Sequence, residues 1–235
     1  MQTPLPAPPL SEVWNSLRHR LLAWVQRPRF ADAISELSEW YWEGMCDELS
    51  DEAARMLQAD PTCLLNFESL AVCDMDCGGD LSAVDHVLAI EKLSPVEILI
   101  LRKLVEARVR IMRVGEVTEL GSQRAVDRNS GTSFFVSTQS WPVPLTPGRD
   151  YLVRLIAFPG IALWAGPCFE LPEDPTHPVR REAEELVAGL MTSKCPRQNR
   201  ESLLVDFSHT WAGAMIEDLS APPLPAAPFT LLRGA

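Results

Sequence analysis

Hydrophobic periodicity changes twice along this chain of 235 residues, and these two changes limit the folds that it can adopt. Up to about Ala107, apolar residues recur at the spacing of helices that face a core. Between 107 and 171 the pattern becomes alternation interrupted by turn residues, which is typical of short strands. Helical spacing returns after Leu171. The sequence therefore predicts an α+β protein with a helical N-terminal half, a small antiparallel SH3-like or OB-like β-barrel in the middle, and C-terminal helices.

Proline-rich ends and the two changes of pattern divide the chain into predicted segments. These are a tail over 1–10, a helical region over 11–106, the barrel over 107–171, further helices over 172–220 and a second tail over 221–235. Both tails have the composition of extended polyproline or disordered segments rather than of packed structure. We therefore expect the core to be built from residues 11–220.

Two capping boxes give the clearest local signals. Ser82 precedes Asp85, and Ser94 precedes Glu97, at the spacing with which a hydroxyl and a carboxylate cap a helix N-terminus. Pro95 suits the first helical position, where its missing N–H is not needed. Within the predicted barrel, the run Arg-Asn-Ser-Gly at 128–131 indicates a hairpin turn. We expect helices to begin at both boxes and a hairpin to form around this turn.

The charge of the chain restricts its partners. Lys plus Arg number 21 and Asp plus Glu number 32, a net charge of -11 that repels nucleic acids and anionic membranes. The opening proline tract does not resemble a signal peptide, and the apolar run over 155–169 is shorter than the roughly 20 residues of a membrane-spanning helix. The six cysteines are too sparse for a disulfide scaffold. These features predict a cytoplasmic protein with reduced thiols.

A twelve-residue segment that begins at Asp74 partly matches a calcium-binding loop, with carboxylates at its first, third and last positions. The candidate calcium ligands are Asp74, Asp76, Asp80 and Asp85. Gly78 replaces an oxygen ligand, and Asp85 is shorter than the usual glutamate, so such a site would bind calcium weakly. The alternative is structural, because Gly78-Gly79 suits a turn and acidic residues stabilise the start of the next helix.

The triplet Trp40-Tyr41-Trp42 is a candidate partner-binding surface. Three consecutive aromatic residues cannot all face one helical stripe, so some aromatic surface should remain for a partner. The alternative is that these rings fill the space between the helices and the barrel.

Several caps, turns and strand positions recur here in a recognisable order. They are Phe67-Glu68 with Asp74, Gly79 and Ser82; Leu93-Ser94-Pro95 with Glu97; Asp127 with Ser130 and Gly131; and Pro147-Gly148 with Leu152, Arg154 and Leu155. Together they resemble a family of uncharacterised, mainly bacterial proteins, some of which carry a C-terminal SEC-C zinc motif. The resemblance covers about 66–171 and implies a fold, not an activity. No paired cysteine and histidine motif follows Cys195, so it implies no SEC-C zinc site here.

No phosphate-binding loop, dinucleotide fingerprint or catalytic signature around the four histidines is present in the sequence. Our leading hypothesis is a non-enzymatic protein-interaction or adaptor module whose partner is another protein. The alternative is a calcium-responsive binding protein that uses the 74–85 loop. An enzyme of unrecognised type is the third.

Overall fold

The computed structural model describes residues 9–46, 49–79, 81–192 and 197–220. Residues 1–8, Asp80 and the predicted tail over 221–235 lie outside the described residues. The described helices are α1 Leu10–Val25, α2 Ala31–Cys46, α3 Asp51–Ala59, α4 Pro61–Cys73, α5 Ala83–Ile90, α6 Pro95–Glu106, α7 Pro178–Thr192 and α8 Arg197–Ser220. The described strands are β1 Val109–Val117, β2 Ser122–Asp127, β3 Ser133–Ser137, β4 Asp150–Phe158 and β5 Ile161–Leu171. The predicted α+β fold, with helices on both sides of a small barrel, is confirmed.

The helix starts follow from capping side chains. Ser82 Oγ accepts from the Asp85 N–H at 3.3 Å, and the Asp85 carboxylate accepts from the Ser82 N–H at 2.9 Å. Ser94 and Glu97 form the same reciprocal pair, at 3.3 and 2.7 Å. Both capping boxes predicted from the sequence are therefore present, and α5 and α6 begin where their first amides find acceptors.

The five strands form a closed barrel in the order β1-β2-β3-β5-β4, with β1 paired to β4. The expectation of an entirely antiparallel barrel is wrong at one place, because β3 and β5 pair in parallel through Val136–Ala162 and Ser137–Leu163. After β3, the chain forms β4, which pairs with β1. A hairpin then connects β4 to β5, and β5 lies beside β3. This Greek-key order is the OB-like one of the two predicted barrel types.

Strands β4 and β5 divide the apolar side chains between two cores. Alternate residues such as Val153 and Trp164 point into the barrel interior. Their neighbours, such as Leu152 and Phe169, pack against the helices. Both strands are therefore buried on both faces, which accounts for their nearly continuous apolar sequence. None of the helices in the described ranges has the length and hydropathy needed to cross a membrane.

Side chains of α4 complete the hydrogen bonding of β5 beyond its short pairing with β3. The Asn66 amide donates to the Cys168 carbonyl at 3.1 Å and accepts from the Cys168 N–H at 2.7 Å. Ser69 Oγ donates to the Ala165 carbonyl at 3.2 Å. We call this contact the α4–β5 seam, because it joins the helices to the barrel through buried polar groups.

Candidate functional site

A half-open pocket of about 630 Å³ lies between the barrel and α8. Its apolar walls are formed by Trp141, Val143, Pro144, Leu171, Trp211 and Met215. We call it the tryptophan pocket. Its volume falls within the range of about 300–1,000 Å³ that is usual for ligand sites.

The two tryptophans pack against neighbouring residues of the barrel. Trp211, on α8, packs edge-on against Phe169 with ring centroids 5.2 Å apart, and its Nε1 donates to the Glu170 carbonyl at 2.8 Å. Trp141 packs beside Gly166, which has a φ of 69°. A Cβ at that glycine would come within 2.7 Å of the Trp141 ring, so only glycine leaves room for it. Each ring is only 4% exposed, so the two tryptophans present little of their surface to the pocket.

A second wall of the tryptophan pocket is polar. The Tyr151 hydroxyl donates to the Glu170 carboxylate at 2.7 Å and accepts from the Thr146 N–H at 2.9 Å. Burial raises the pKa of Tyr151 to about 12, so this hydroxyl is protonated at neutral pH. The Arg149 guanidinium contacts the carboxylates of Glu173 at 2.8 Å and Glu170 at 3.6 Å.

This polar wall carries an excess of negative charge. Glu170, Glu173 and Asp174 supply three carboxylates against the one guanidinium of Arg149, a net of two negative charges if His177 is neutral. His177 Nδ1 accepts from the Val179 N–H at 3.3 Å at the start of α7. The pocket therefore favours a ligand with an apolar body and a positively charged group.

The predicted aromatic triplet does not form one surface. Tyr41 is fully buried, and its hydroxyl donates to the Cys63 carbonyl at 3.0 Å. Trp42 is partly buried against the core, with its ring centroid 5.9 Å from that of Phe67. Trp40 is 37% exposed, so it is the member of the triplet that presents substantial aromatic surface. Whether a partner binds at Trp40 stays a prediction.

The candidate calcium ligands are dispersed among structural contacts. Both Asp74 oxygens accept from Arg154 Nη2, at 2.8 and 2.7 Å. Asp76 accepts from the Gly78 N–H at 2.8 Å, and Asp85 belongs to the Ser82 capping box. Asp80 lies outside the described residues, and within those described no group of three or more His, Cys, Asp or Glu side chains is arranged to hold a metal ion. The calcium site stays a prediction.

A carboxylate that the sequence did not single out approaches the same loop. Glu201, near the start of α8, accepts from the Asp76 N–H at 3.2 Å. Burial raises the pKa of Glu201 to about 7, and the negative charges of Asp74 and Asp76 contribute further. This group changes protonation near neutral pH, which ties the stability of the loop to pH.

Sequence reasoning did not find the tryptophan pocket, because it is assembled from distant segments. Trp141 follows β3, Tyr151 lies on β4, and Trp211 lies on α8. The local signal that could have indicated it is Trp141 in the proline-rich run Trp-Pro-Val-Pro, which is too irregular to be a helix or strand. Pairing that run with Trp211 requires the three-dimensional fold.

No protein-family model matches the sequence, and neither a curated protein nor a solved structure matches the chain. The family resemblance over 66–171 therefore stays a hypothesis.

Proposed function

We propose that this protein is a non-enzymatic interaction module that binds an extended, proline-containing segment of a partner protein in the tryptophan pocket. The observation that carries the proposal is the pairing of an apolar wall with a net negative wall in one pocket of about 630 Å³. The partner segment has this chemistry: prolines, further apolar residues and one basic side chain.

Proline-rich segments suit an apolar pocket for two physical reasons. A polyproline II segment is already extended in solution, so it loses little conformational entropy when it binds. Its prolyl rings also pack against accessible apolar side chains, and Val143, Pro144 and Met215 supply these in the pocket.

The charge of the pocket supports a basic residue in the bound segment. Glu173 and Asp174 lie at the exposed edge of the polar wall, where a lysine or arginine can reach them without leaving solvent. Such an exposed contact contributes about 0.2–1 kcal/mol and serves mainly to orient the ligand.

Binding is better supported than catalysis, because two potentially reactive side chains of the pocket, Cys168 and Tyr151, are held in unreactive forms. Burial raises the pKa of the Cys168 thiol, so the nucleophilic thiolate is suppressed. The Tyr151 hydroxyl, with its raised pKa, uses its proton in the bond to Glu170. Neither group is poised to act as a nucleophile or as a base at neutral pH.

The direct test is fluorescence anisotropy with a labelled synthetic peptide of sequence Pro-Pro-Leu-Pro-Pro-Leu-Pro-Arg. We expect the full chain to bind it with a Kd on the order of 100 μM. Met215→Lys, which places a cation in the apolar wall, should weaken binding at least about tenfold, or about 1.4 kcal/mol. Met56→Lys is the control, because Met56 is an exposed methionine of α3 outside the pocket.

The charge of the pocket is tested separately. Glu173→Lys should weaken the arginine peptide but not a peptide with norleucine in place of arginine, whereas Glu106→Lys, at a similarly exposed side chain on α6, should affect neither. Absence of binding at about 1 mM peptide, or equal losses for Met215→Lys and Met56→Lys, would overturn the proposed function.

A further inference from the structure

Three arginine side chains converge on one buried carboxylate of the barrel. Asp150, the first residue of β4, is 2% exposed, and its Oδ2 accepts from Arg180 Nη2 of α7 at 2.6 Å. Arg113 Nη1 lies 3.5 Å from Asp150 Oδ1, and Arg128 Nε lies 3.7 Å from Asp150 Oδ2. We call Arg113, Arg128 and Arg180 the arginine cluster.

The backbone holds two of these arginines next to one another. Arg113 on β1 is the register partner of Asp150 on β4, and the Arg128 N–H donates to the Ile111 carbonyl of β1 at 2.9 Å. Both side chains therefore extend from hydrogen-bonded backbone toward the same carboxylate. One small anion can contact both guanidiniums without any rearrangement of the backbone, which keeps the entropic cost of binding low.

The arginine cluster carries more positive charge than its carboxylate partners neutralise. Arg180 makes the short bond to Asp150 and also lies 3.5 Å from Glu184. Among the described residues, neither Arg113 nor Arg128 pairs with a carboxylate other than Asp150. Three guanidiniums therefore face two carboxylates, which leaves one positive charge. The segment over 107–171 also has seven arginines against five acidic residues, so this surface attracts anions more than the net charge of -11 indicates.

This positive charge is accessible to a ligand. The side chains of Arg113 and Arg128 are 45% and 50% exposed, whereas Asp150 is buried. An incoming anion therefore meets the guanidiniums and not the carboxylate. A guanidinium donates paired N–H groups to phosphate oxygens, and two of them suit the double negative charge of a phosphate monoester.

An exposed arginine surface suits a phosphate group that a partner protein presents. Neither Arg113 nor Arg128 lines the tryptophan pocket or one of three smaller cavities in the described part of the chain, so these side chains supply charge but no enclosure for a free metabolite. A nucleic acid brings many phosphates, which the net charge of -11 repels. A single phosphorylated side chain of a peptide avoids most of this repulsion.

We propose that the arginine cluster binds a phosphorylated serine or threonine of a partner protein. Arg113 and Arg128 contact the phosphate oxygens, and Arg180 holds Asp150 in place beneath them. No residue of the arginine cluster lines the tryptophan pocket, so this site does not depend on the proposed function.

The direct test is fluorescence anisotropy with two labelled synthetic peptides of sequence Gly-Ala-Ala-Ser-Ala-Ala-Gly, one with phosphoserine and one with unmodified serine. We expect the full chain to bind the phosphoserine peptide with a Kd on the order of 100 μM, and the serine peptide at least about tenfold more weakly. An increase in NaCl from about 0.05 M to about 0.3 M should weaken the phosphoserine peptide, because salt screens contacts between exposed charges.

Substitutions identify the residues that bind the phosphate. Arg113→Gln and Arg128→Gln should each weaken the phosphoserine peptide about fivefold, and the double variant at least about twentyfold. Arg124→Gln is the matched control, because Arg124 is an exposed arginine of β2 that bonds to Ser133 and not to Asp150. It removes the same charge and should change the affinity less than about twofold. Thermal melts of all four variants should match that of the unaltered chain, because the altered side chains are exposed.

Four results would overturn the proposal. Two are equal binding of the phosphoserine and serine peptides, and equal losses for Arg128→Gln and Arg124→Gln. Inorganic phosphate that competes as strongly as the unlabelled phosphoserine peptide would assign the cluster to free phosphate. A single-stranded DNA oligonucleotide that binds more tightly than this peptide, and is lost in the double variant, would assign it to nucleic acid. The double variant should bind the proline and arginine peptide as the unaltered chain does, so the two proposals fail separately.

Discussion

Replacing Asp74 by Asn is expected to cause a large loss of stability. Asp74 directly follows α4 and Arg154 lies on β4, so their ion pair joins the helices to the barrel. The guanidinium donates to both carboxylate oxygens at 2.7–2.8 Å, and the exposed fractions of the Arg154 and Asp74 side chains are 4% and 1%. If one of the two charged groups is removed, solvent therefore cannot reach the other group to stabilise its charge.

The size of the loss follows from what remains after the substitution. Burial lowers the pKa of Arg154, but the negative charge of Asp74 outweighs it and raises that pKa above its ordinary value. Without the carboxylate, a buried guanidinium stays uncompensated, and its Nη1 already has no hydrogen-bond partner in the described part of the chain. Removing one member of such a pair costs about 3–5 kcal/mol, against a total stability of about 5–15 kcal/mol for a typical domain.

Urea unfolding followed by circular dichroism measures this loss. With a slope of about 2 kcal/mol/M, the midpoint should fall by roughly 1.5–2.5 M. Glu106→Gln is the control, because its pair with Lys103 is exposed and should contribute less than about 0.5 kcal/mol. The double variant Asp74→Leu and Arg154→Met should recover most of the loss. A loss below about 1 kcal/mol for Asp74→Asn with an unchanged slope would refute the reasoning.

Three further perturbations test other contacts. The pKa of Glu201 is about 7 in the folded protein against an ordinary 4.5, so the folded state holds this proton more tightly and stability falls as pH rises from 4.5 through 7. After a discount for solvent screening, Glu201→Gln should therefore raise the free energy of unfolding by about 1–2 kcal/mol at pH 8 and by much less at pH 5. Urea titrations measure both gains, and equal gains at the two pH values would contradict this reasoning. Gly44→Ala should destabilise the protein by about 1–3 kcal/mol, because the His209 ring occupies the position of the new Cβ. Gly213 has open space around it, so Gly213→Ala should stabilise the protein by about 0.5–1 kcal/mol, and thermal melts compare the two variants. Because both Asp74 oxygens are bonded to Arg154, we expect millimolar calcium to leave the melting temperature unchanged; a calcium-dependent increase would support the calcium hypothesis.

Local signals were sufficient for the sequence to predict where elements begin. Ser82 and Ser94 specify helix starts through contacts only three residues away, so no tertiary information is needed. The hairpin around 128–131 is similarly local, with Gly131 at a φ of 70° where glycine is favoured. The change from helical spacing to alternation near Ala107 is a property of the chain itself, and β1 begins at Val109.

The remaining features depend on contacts between distant residues. Asp74 resembles a calcium ligand in the sequence because its partner, Arg154, lies far along the chain. β3 and β5 pair in parallel because β4 pairs with β1 instead of with β3. Strand periodicity predicts strands, but it does not predict which strands pair. Trp211 becomes a pocket wall because α8 packs across the barrel, although its helical pattern is that of an ordinary core residue.

The α4–β5 seam also affects how a fragment of the protein that contains only the barrel would behave. A fragment that carries only residues 107–171 would lose Asn66 and Ser69, and with them the partners of the Cys168 amide and the carbonyls of Cys168 and Ala165. An unpaired strand edge recruits other strands, so such a fragment would associate with its own copies instead of folding alone. We therefore expect the helices and the barrel to fold as one unit, despite the clear boundary between them in the sequence.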